Sequence, residues 1–425
     1  MTISANKYQN RTARRTLSSR GSRELGAPRS YGARTARTTR VSSSTRTKEK
    51  KPPVIRLKQG EMDYTFLFMV ILMLSVGLVM LLSASAPKAK QLYDNSYYFF
   101  LKQGLCAVIG LIAMGLLSKI NYIELKKYVP VSMVICIIML ILVLLPKTGV
   151  SLNGSSRWLN TPIVQIQPSE FMKPLIAMYF ALMIESGKYN LHTFKGCLPF
   201  CGVLAVVLAL LLMETHLSGA IVIGGIGLVL MVAGGMPVKP IIFGVLAIGV
   251  VGFFAIKSYD PVRWARITSF MNPFEDTQGS GFQTAQSLYT LGSGGLFGLG
   301  LGQSVQKYSY LPEPYNDFIF AVVCEELGWV GACLIIALFV ALIMRAASIA
   351  ANAPDLYSSL TATGITAHIA IQTLLNIAVV TASVPNTGIS LPFFSYGGTS
   401  IITLLAEMGI LLNISRYSIK SAVKK

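Results

Sequence analysis

The sequence predicts an all-α, polytopic membrane protein with about ten transmembrane helices and a large extracytoplasmic loop between the seventh and eighth. Three observations carry this expectation. First, 53% of the 425 residues are hydrophobic, mean hydropathy is +0.58 and only 13% are charged, against about 25% charged in a soluble domain. So few charges cannot cover a soluble protein of this length. Second, the apolar residues fall in runs of roughly 20, the length that crosses a bilayer as a helix. Third, Lys and Arg segregate to alternate loops, as cytoplasmic loops do.

The elements follow in order. Residues 1–60 are rich in Arg, Ser and Thr, with Glu24 and Glu49 as their only acids. Such a segment buries too little apolar surface to offset its ordering entropy, and it reads as a disordered, basic cytoplasmic tail. Its charge suits anionic membrane lipids. Nucleic acid is not an expected partner, because no aromatic residues interleave the arginines to stack bases. No cleavable signal peptide is visible, so the first apolar run directs insertion and is retained. Apolar segments lie near 63–85, 97–117, 127–146, 168–186, 197–213, 217–234, 239–257, 317–345, 357–384 and 396–415. They form one transmembrane domain, 61–418, followed by a short basic tail, 419–425. Lys119, Lys126, Lys127, Lys188, Lys195 and the C-terminal Arg416, Lys420, Lys424 and Lys425 share the side of the basic tail. Both termini are therefore expected in the cytoplasm. The 258–316 loop falls outside.

Six cysteines, Cys106, Cys136, Cys197, Cys201, Cys324 and Cys333, sit in or beside apolar runs without zinc-like spacing; they read as small helix residues. The glycine-rich stretch Gly292–Gly302 has no strand–loop–helix unit around it, so it reads as a flexible or close-packed loop and not as a dinucleotide site.

The polar residues carry the chemistry. Asp317 stands where an apolar helix opens. A carboxylate at the membrane boundary marks a site, although it also fits the first turn of a helix capped by Asn316. Glu325 and Glu326 lie deeper in the same segment and imply buried partners. Gln167-Pro168-Ser169-Glu170 starts a helix, and Glu170 and Lys173 are spaced to pair on one face. Arg157 beside Trp158 suits a lipid headgroup or an interfacial anchor. Arg157, Arg263, Arg266 and Lys307 are cations on the outer side, against the general bias. They suit an anionic ligand, and a lipid pyrophosphate is the obvious one at that depth.

Three stretches resemble one family. They are SRWLNTPIVQIQPSEFMK (156–173), RITSFMNPFEDTQGSGFQTAQSLYTLGSGGLFGLGLGQSVQKYSYLPEPYNDFIFAVVCEELG (266–328) and PNTGISLPFFSYGGTS (385–400). In this order they resemble the SEDS proteins (shape, elongation, division and sporulation), most closely the FtsW division type, over residues 60–415. "NPFED" and "SVQK" lean toward the division or sporulation branch. Two departures stand out: Tyr315-Asn316 precedes the aspartate where relatives usually have His-Thr, and Thr215-His216-Leu217-Ser218 replaces a common "PDxG".

The resemblance implies a peptidoglycan glycosyltransferase of the bacterial cell membrane. Its substrate would be lipid II and its partners a class B penicillin-binding transpeptidase and other division proteins. Asp317 would be the catalytic residue. Arg157, Trp158, Glu170, Lys173, Arg263, Arg266 and Lys307 would contact substrate or pyrophosphate. Gln167, Ser169, Glu325, Glu326 and Ser395 would support them. No particular cofactor is implied; a divalent cation, Mg2+ or Mn2+, is an alternative source of positive charge. The competing readings are a lipid II flippase and a scaffold that only recruits the transpeptidase. Polar residues gathered at the outer face, away from a midplane site, speak against the flippase.

Overall fold

The structure, a computed structural model, describes residues 60–145, 149–152, 155–159, 165–259, 261–275, 279, 281–308 and 310–417. The expectations for the basic tail and for 419–425 lie outside the described residues. Among the described residues, twelve helices and one small antiparallel strand pair follow in order: α1 (Tyr64–Tyr93), α2 (Tyr98–Leu117), α3 (Tyr122–Val143), β1 (Gly149–Leu152), β2 (Ser155–Leu159), α4 (Pro168–Glu185), α5 (Phe194–Met213), α6 (Leu217–Ala233), α7 (Val238–Tyr259), α8 (Pro261–Met271), α9 (Phe282–Ser293), α10 (Ile319–Ala351), α11 (Leu356–Val380) and α12 (Gly398–Arg416).

Each of the ten apolar segments coincides with one helix, α1 to α7 and α10 to α12. Eight of these are long and apolar enough to cross a membrane. The other two fall short for separate reasons: α6 has 17 residues, and α4 carries Glu170, Lys173 and Glu185. Helix starts follow local chemistry. Asp63, Asn121, Thr193 and Asp355 accept from the first-turn amides of α1, α3, α5 and α11, which satisfies donors the helix cannot pair internally.

The all-α class holds, with one small addition, and the sequence reading needs two corrections in detail. β1 and β2 pair antiparallel, with Val150 opposite Trp158. The Asn153-Gly154 dipeptide between them is a strong hairpin signal that the search for apolar runs passed over. The 258–316 segment is partly helical, holding α8 and α9. Asp317 does not open α10, which starts at Ile319 with Phe318 as its cap residue.

α11 and α12 are the most enclosed helices, whereas α7 has none of its apolar window buried. α12 is flanked by α2, α4 and α11, and α11 by α4, α6 and α10. Leu101, Leu105, Ile112 and Leu116 of α2 stay exposed, as a lipid-facing stripe does.

α10 breaks at Gly328, whose φ of 68° and ψ of −173° are not helical. The break frees backbone groups, which a bilayer interior tolerates only when protein re-pairs them. The glycine-rich loop does this. Leu299 N and Gly300 N donate to the Glu325 and Glu326 carbonyls, each at 3.0 Å, and Trp329 N donates to Gly295 O at 2.9 Å. A Cβ on Gly328 would meet Gly298 N at 2.2 Å. Of the two readings open for Gly292–Gly302, the close-packed loop is the one observed.

Candidate active site

Asp317 lies in the turn that leads into α10, and the backbone of that turn is held at three successive carbonyls. Tyr396 N donates to Tyr315 O at 2.9 Å. Ser395 Oγ donates to Asn316 O at 2.6 Å while accepting from Leu391 N at 2.7 Å. Asn376 Nδ2, from buried α11, donates to Asp317 O at 2.8 Å and to Ile389 O at 2.6 Å. Tyr315 is buried and stacks on Phe99, with ring centroids 4.7 Å apart. Asn316 does not cap the helix; its Nδ2 donates to Glu313 Oε2 at 2.6 Å. The capping alternative for Asn316-Asp317 is thereby set aside.

The clamp leaves the Asp317 carboxyl half-buried beside segment 385–396. Gly388 is its neighbour: φ is +68°, and a Cβ there would lie 3.1 Å from Asp317 Oδ2. Both the left-handed backbone and the close approach demand glycine. Ser395 was among the expected supporting residues. Asn376 was not, and neither was Gln372 one turn earlier. His368, Gln372 and Asn376 recur every fourth residue in an apolar helix, so the signal was a polar stripe on one face.

The expected cations divide by environment. Lys307 is 4% exposed, and its ammonium donates to Glu326 Oε1 at 2.9 Å, Ser83 Oγ at 3.0 Å and Gly302 O at 2.7 Å. All three of its hydrogens are engaged. Glu325 is fully buried and accepts from Ser304 Oγ and from Val305 N at 3.1 Å. The consecutive glutamates thus have the buried partners their position implied. Lys173 and Glu170 pair at 2.7 Å, both buried, and Lys173 also donates to Gln372 Oε1 at 2.9 Å. Arg157, on β2, is half-buried and donates to Thr215 O at 2.7 Å. Trp158 beside it is half-buried, and Gln167 precedes α4 with its amide 3.4 Å from Thr399 Oγ1. Ser169 is fully buried at the start of α4. Arg263 and Arg266 lie on α8; their side chains are outside the described ones.

Two titratable groups occupy the link between α5 and α6. Burial pushes the Glu214 carboxyl up to about 8, with the Arg157 charge opposing. Burial, helped by Arg157, holds the His216 imidazole down to about 3. His216 is therefore neutral near pH 7 and Glu214 mostly protonated. Among the described residues no three or more His, Cys, Asp or Glu side chains are grouped to hold a metal ion. A divalent cation here would complete its shell with substrate phosphate oxygens and water.

Comparison with known proteins gives a consistent set. The family model FtsW–RodA–SpoVE, described as "Cell cycle protein", matches residues 64–420. "Stage V sporulation protein E" of Bacillus subtilis (strain 168) is 43% identical over 363 residues, which span 85% of this chain and 99% of the relative. "Probable peptidoglycan glycosyltransferase FtsW" of Geobacter metallireducens is 36% identical over 363 residues, 85% of this chain and 96% of the relative. A solved structure described as "Structural coordination of polymerization and crosslinking by a peptidoglycan synthase complex" superposes with a TM-score of 0.72 at 26% identity. It covers 84% of this chain and 98% of its own. The crystal structure of Rod shape determining protein RodA from Thermus thermophilus gives 0.63 at 25% identity, with the same coverage of 84% and 98%.

Proposed function

The chain belongs to the FtsW–RodA–SpoVE family of cell cycle proteins and is an integral membrane peptidoglycan glycosyltransferase; on that premise we propose that it polymerises lipid II with Asp317 as general base. The observation that carries the reading is the clamp on carbonyls 315, 316 and 317, which holds the Asp317 turn still while its carboxyl remains half-buried. Fixing a base in place, with its reorganisation cost already met by the fold, is how positioning raises rate.

In the proposed reaction one lipid II presents its GlcNAc 4-hydroxyl. Asp317 takes that proton as the oxygen attacks the anomeric carbon of the MurNAc on the growing chain. The new C–O bond forms as the bond to the pyrophosphate oxygen breaks, so configuration inverts from α to β. Undecaprenyl pyrophosphate leaves as a stable anion and needs no general acid. One carboxylate therefore suffices, unlike hydrolysis by paired carboxylates. A positioned base contributes about 10²–10⁴ in rate.

Arg157, Arg263 and Arg266 are the cations we assign to the leaving pyrophosphate, with Trp158 next to Arg157 in β2. Guanidinium groups bind phosphate oxygens in pairs. Lys173 and Lys307, with Glu170, Glu325 and Glu326, brace the helices around the site. Gln167 and Ser169 shape the start of α4. The setting we propose is the cell membrane at a division or sporulation septum, with both termini cytoplasmic. A class B penicillin-binding transpeptidase would act beside it, an arrangement supported by the superposition on a synthase complex. Flippase activity is distinguished by assaying lipid II transfer across vesicles with wild type and Asp317→Asn. Transfer lost on the substitution would point to transport through this site.

A further inference from the structure

His368, Gln372 and Asn376 are all buried on α11, and hydrogen-bond chemistry fixes how the first two are arranged. Gln372 Nε2 donates to the carbonyl and hydroxyl of Ser390, each at 3.0 Å. Its Oε1 accepts from Lys173 Nζ at 2.9 Å. A backbone carbonyl cannot donate and an ammonium cannot accept, so the amide has one permitted orientation. The same Oε1 lies 2.8 Å from His368 Nε2. That nitrogen must therefore carry a hydrogen. On the other side of the ring, Nδ1 lies 2.8 Å from Glu407 Oε2 of α12. With Nε2 already donating, this contact needs one hydrogen, borne by either atom. Glu407 thereby fixes the ring in the orientation that turns Nε2 toward Gln372, as outer partners orient ligand histidines.

The consequence reaches Asp317. Ser390, held by Gln372, is two residues from Gly388, which walls the Asp317 carboxyl. It is next to Ile389, whose carbonyl shares the Asn376 amide with Asp317 O. Without a partner at 407, Nδ1 is left buried and unpaired and the ring loses one of its two anchors. The ring can then turn Nε2 away from Gln372 Oε1, and the hold on 388–390 loosens.

We propose that Glu407 and His368 are positioning residues for the transferase site, acting from within the helix bundle through Gln372 on the segment that walls Asp317. The proposal rests on the reading of Asp317 as the base.

The test is lipid II polymerisation by the purified full-length chain with its transpeptidase partner present. Glu407→Gln carries the required hydrogen on its own amide and retains kcat within about twofold of wild type. Glu407→Met supplies none, and kcat falls about 10- to 100-fold with half-saturation by lipid II unchanged. His368→Leu gives the same loss and serves if Glu407→Met does not purify. Wild-type kcat in either folded apolar variant overturns the proposal. So does a folded Glu407→Gln as inactive as Asp317→Asn, since the carboxylate itself would then be needed. Asp317→Asn is the control: if it is fully active the base assignment fails, whereas an inactive Asp317→Asn beside a fully active Glu407→Met overturns the positioning role alone.

Discussion

Asp317 was legible from its place at the head of an apolar segment; what fixes it was not. Asn376 supplies both its amide hydrogens to carbonyls 13 and 59 residues away; the polar stripe on α11 marks the residue but not these partners. Asn376→Leu removes both bonds and leaves two carbonyls unpaired; we expect polymerisation to fall at least 10-fold, measured as kcat, with the protein still in the membrane. Gly388→Ala is a sharper probe. It adds about 1 kcal/mol or more of backbone strain and places a methyl 3.1 Å from Asp317 Oδ2, so kcat should drop in a variant that melts only a few degrees below wild type. Glu214 predicts a pH effect. Its carboxyl, raised to about 8 from an ordinary 4.5, holds a proton in the folded state that the unfolded chain has released between those values. Stability therefore falls as pH rises through that window, by up to about 1.4 kcal/mol per unit, and levels off above it. Glu214→Gln lacks this dependence. Its melting temperature in detergent, relative to wild type, should climb from pH 5 to 8 and then stay constant; a constant difference throughout would contradict the buried, protonated carboxyl.

At the scale of elements, each apolar run coincides with a helix, and eight of the ten helices are long and apolar enough to cross a membrane. Hydrophobic periodicity missed β1 and β2, whose strands are too short to show a pattern, and it misplaced the start of α10 by two residues, because an acid followed by apolar Phe318 also fits a helix's first turn. The break at Gly328 was invisible for a different reason: it depends on docking of Gly294–Gly300, thirty residues earlier, against the α10 backbone. Lys307 closes that junction by pairing with fully enclosed Glu326. Removing one partner of a buried pair is worse than removing both. Lys307→Met should destabilise by about 3–5 kcal/mol, while Lys307→Met with Glu326→Gln should recover most of the loss in a thermal melt. Equal destabilisation by single and double variants would mean that Lys307 braces nothing.

For the molecule as a whole, composition established a membrane protein, and charge asymmetry gave the expectation of polar groups on the outer side, but neither named a reaction. Most of the net charge of +19 lies in residues 1–60. The informative residues are few, sit in an apolar background and come together only through the fold: the 315–317 turn, α11 and the 385–396 segment converge from separate parts of the sequence. Family membership supplies the reaction, and the clamp supports the proposed role of Asp317 as its base. The most direct measurement is glycan polymer yield from purified full-length protein, its transpeptidase partner and lipid II, comparing wild type with Asp317→Asn. A loss of about 10²-fold or more, with unchanged melting temperature and membrane insertion, is predicted; wild-type polymer yield from the folded variant would contradict it.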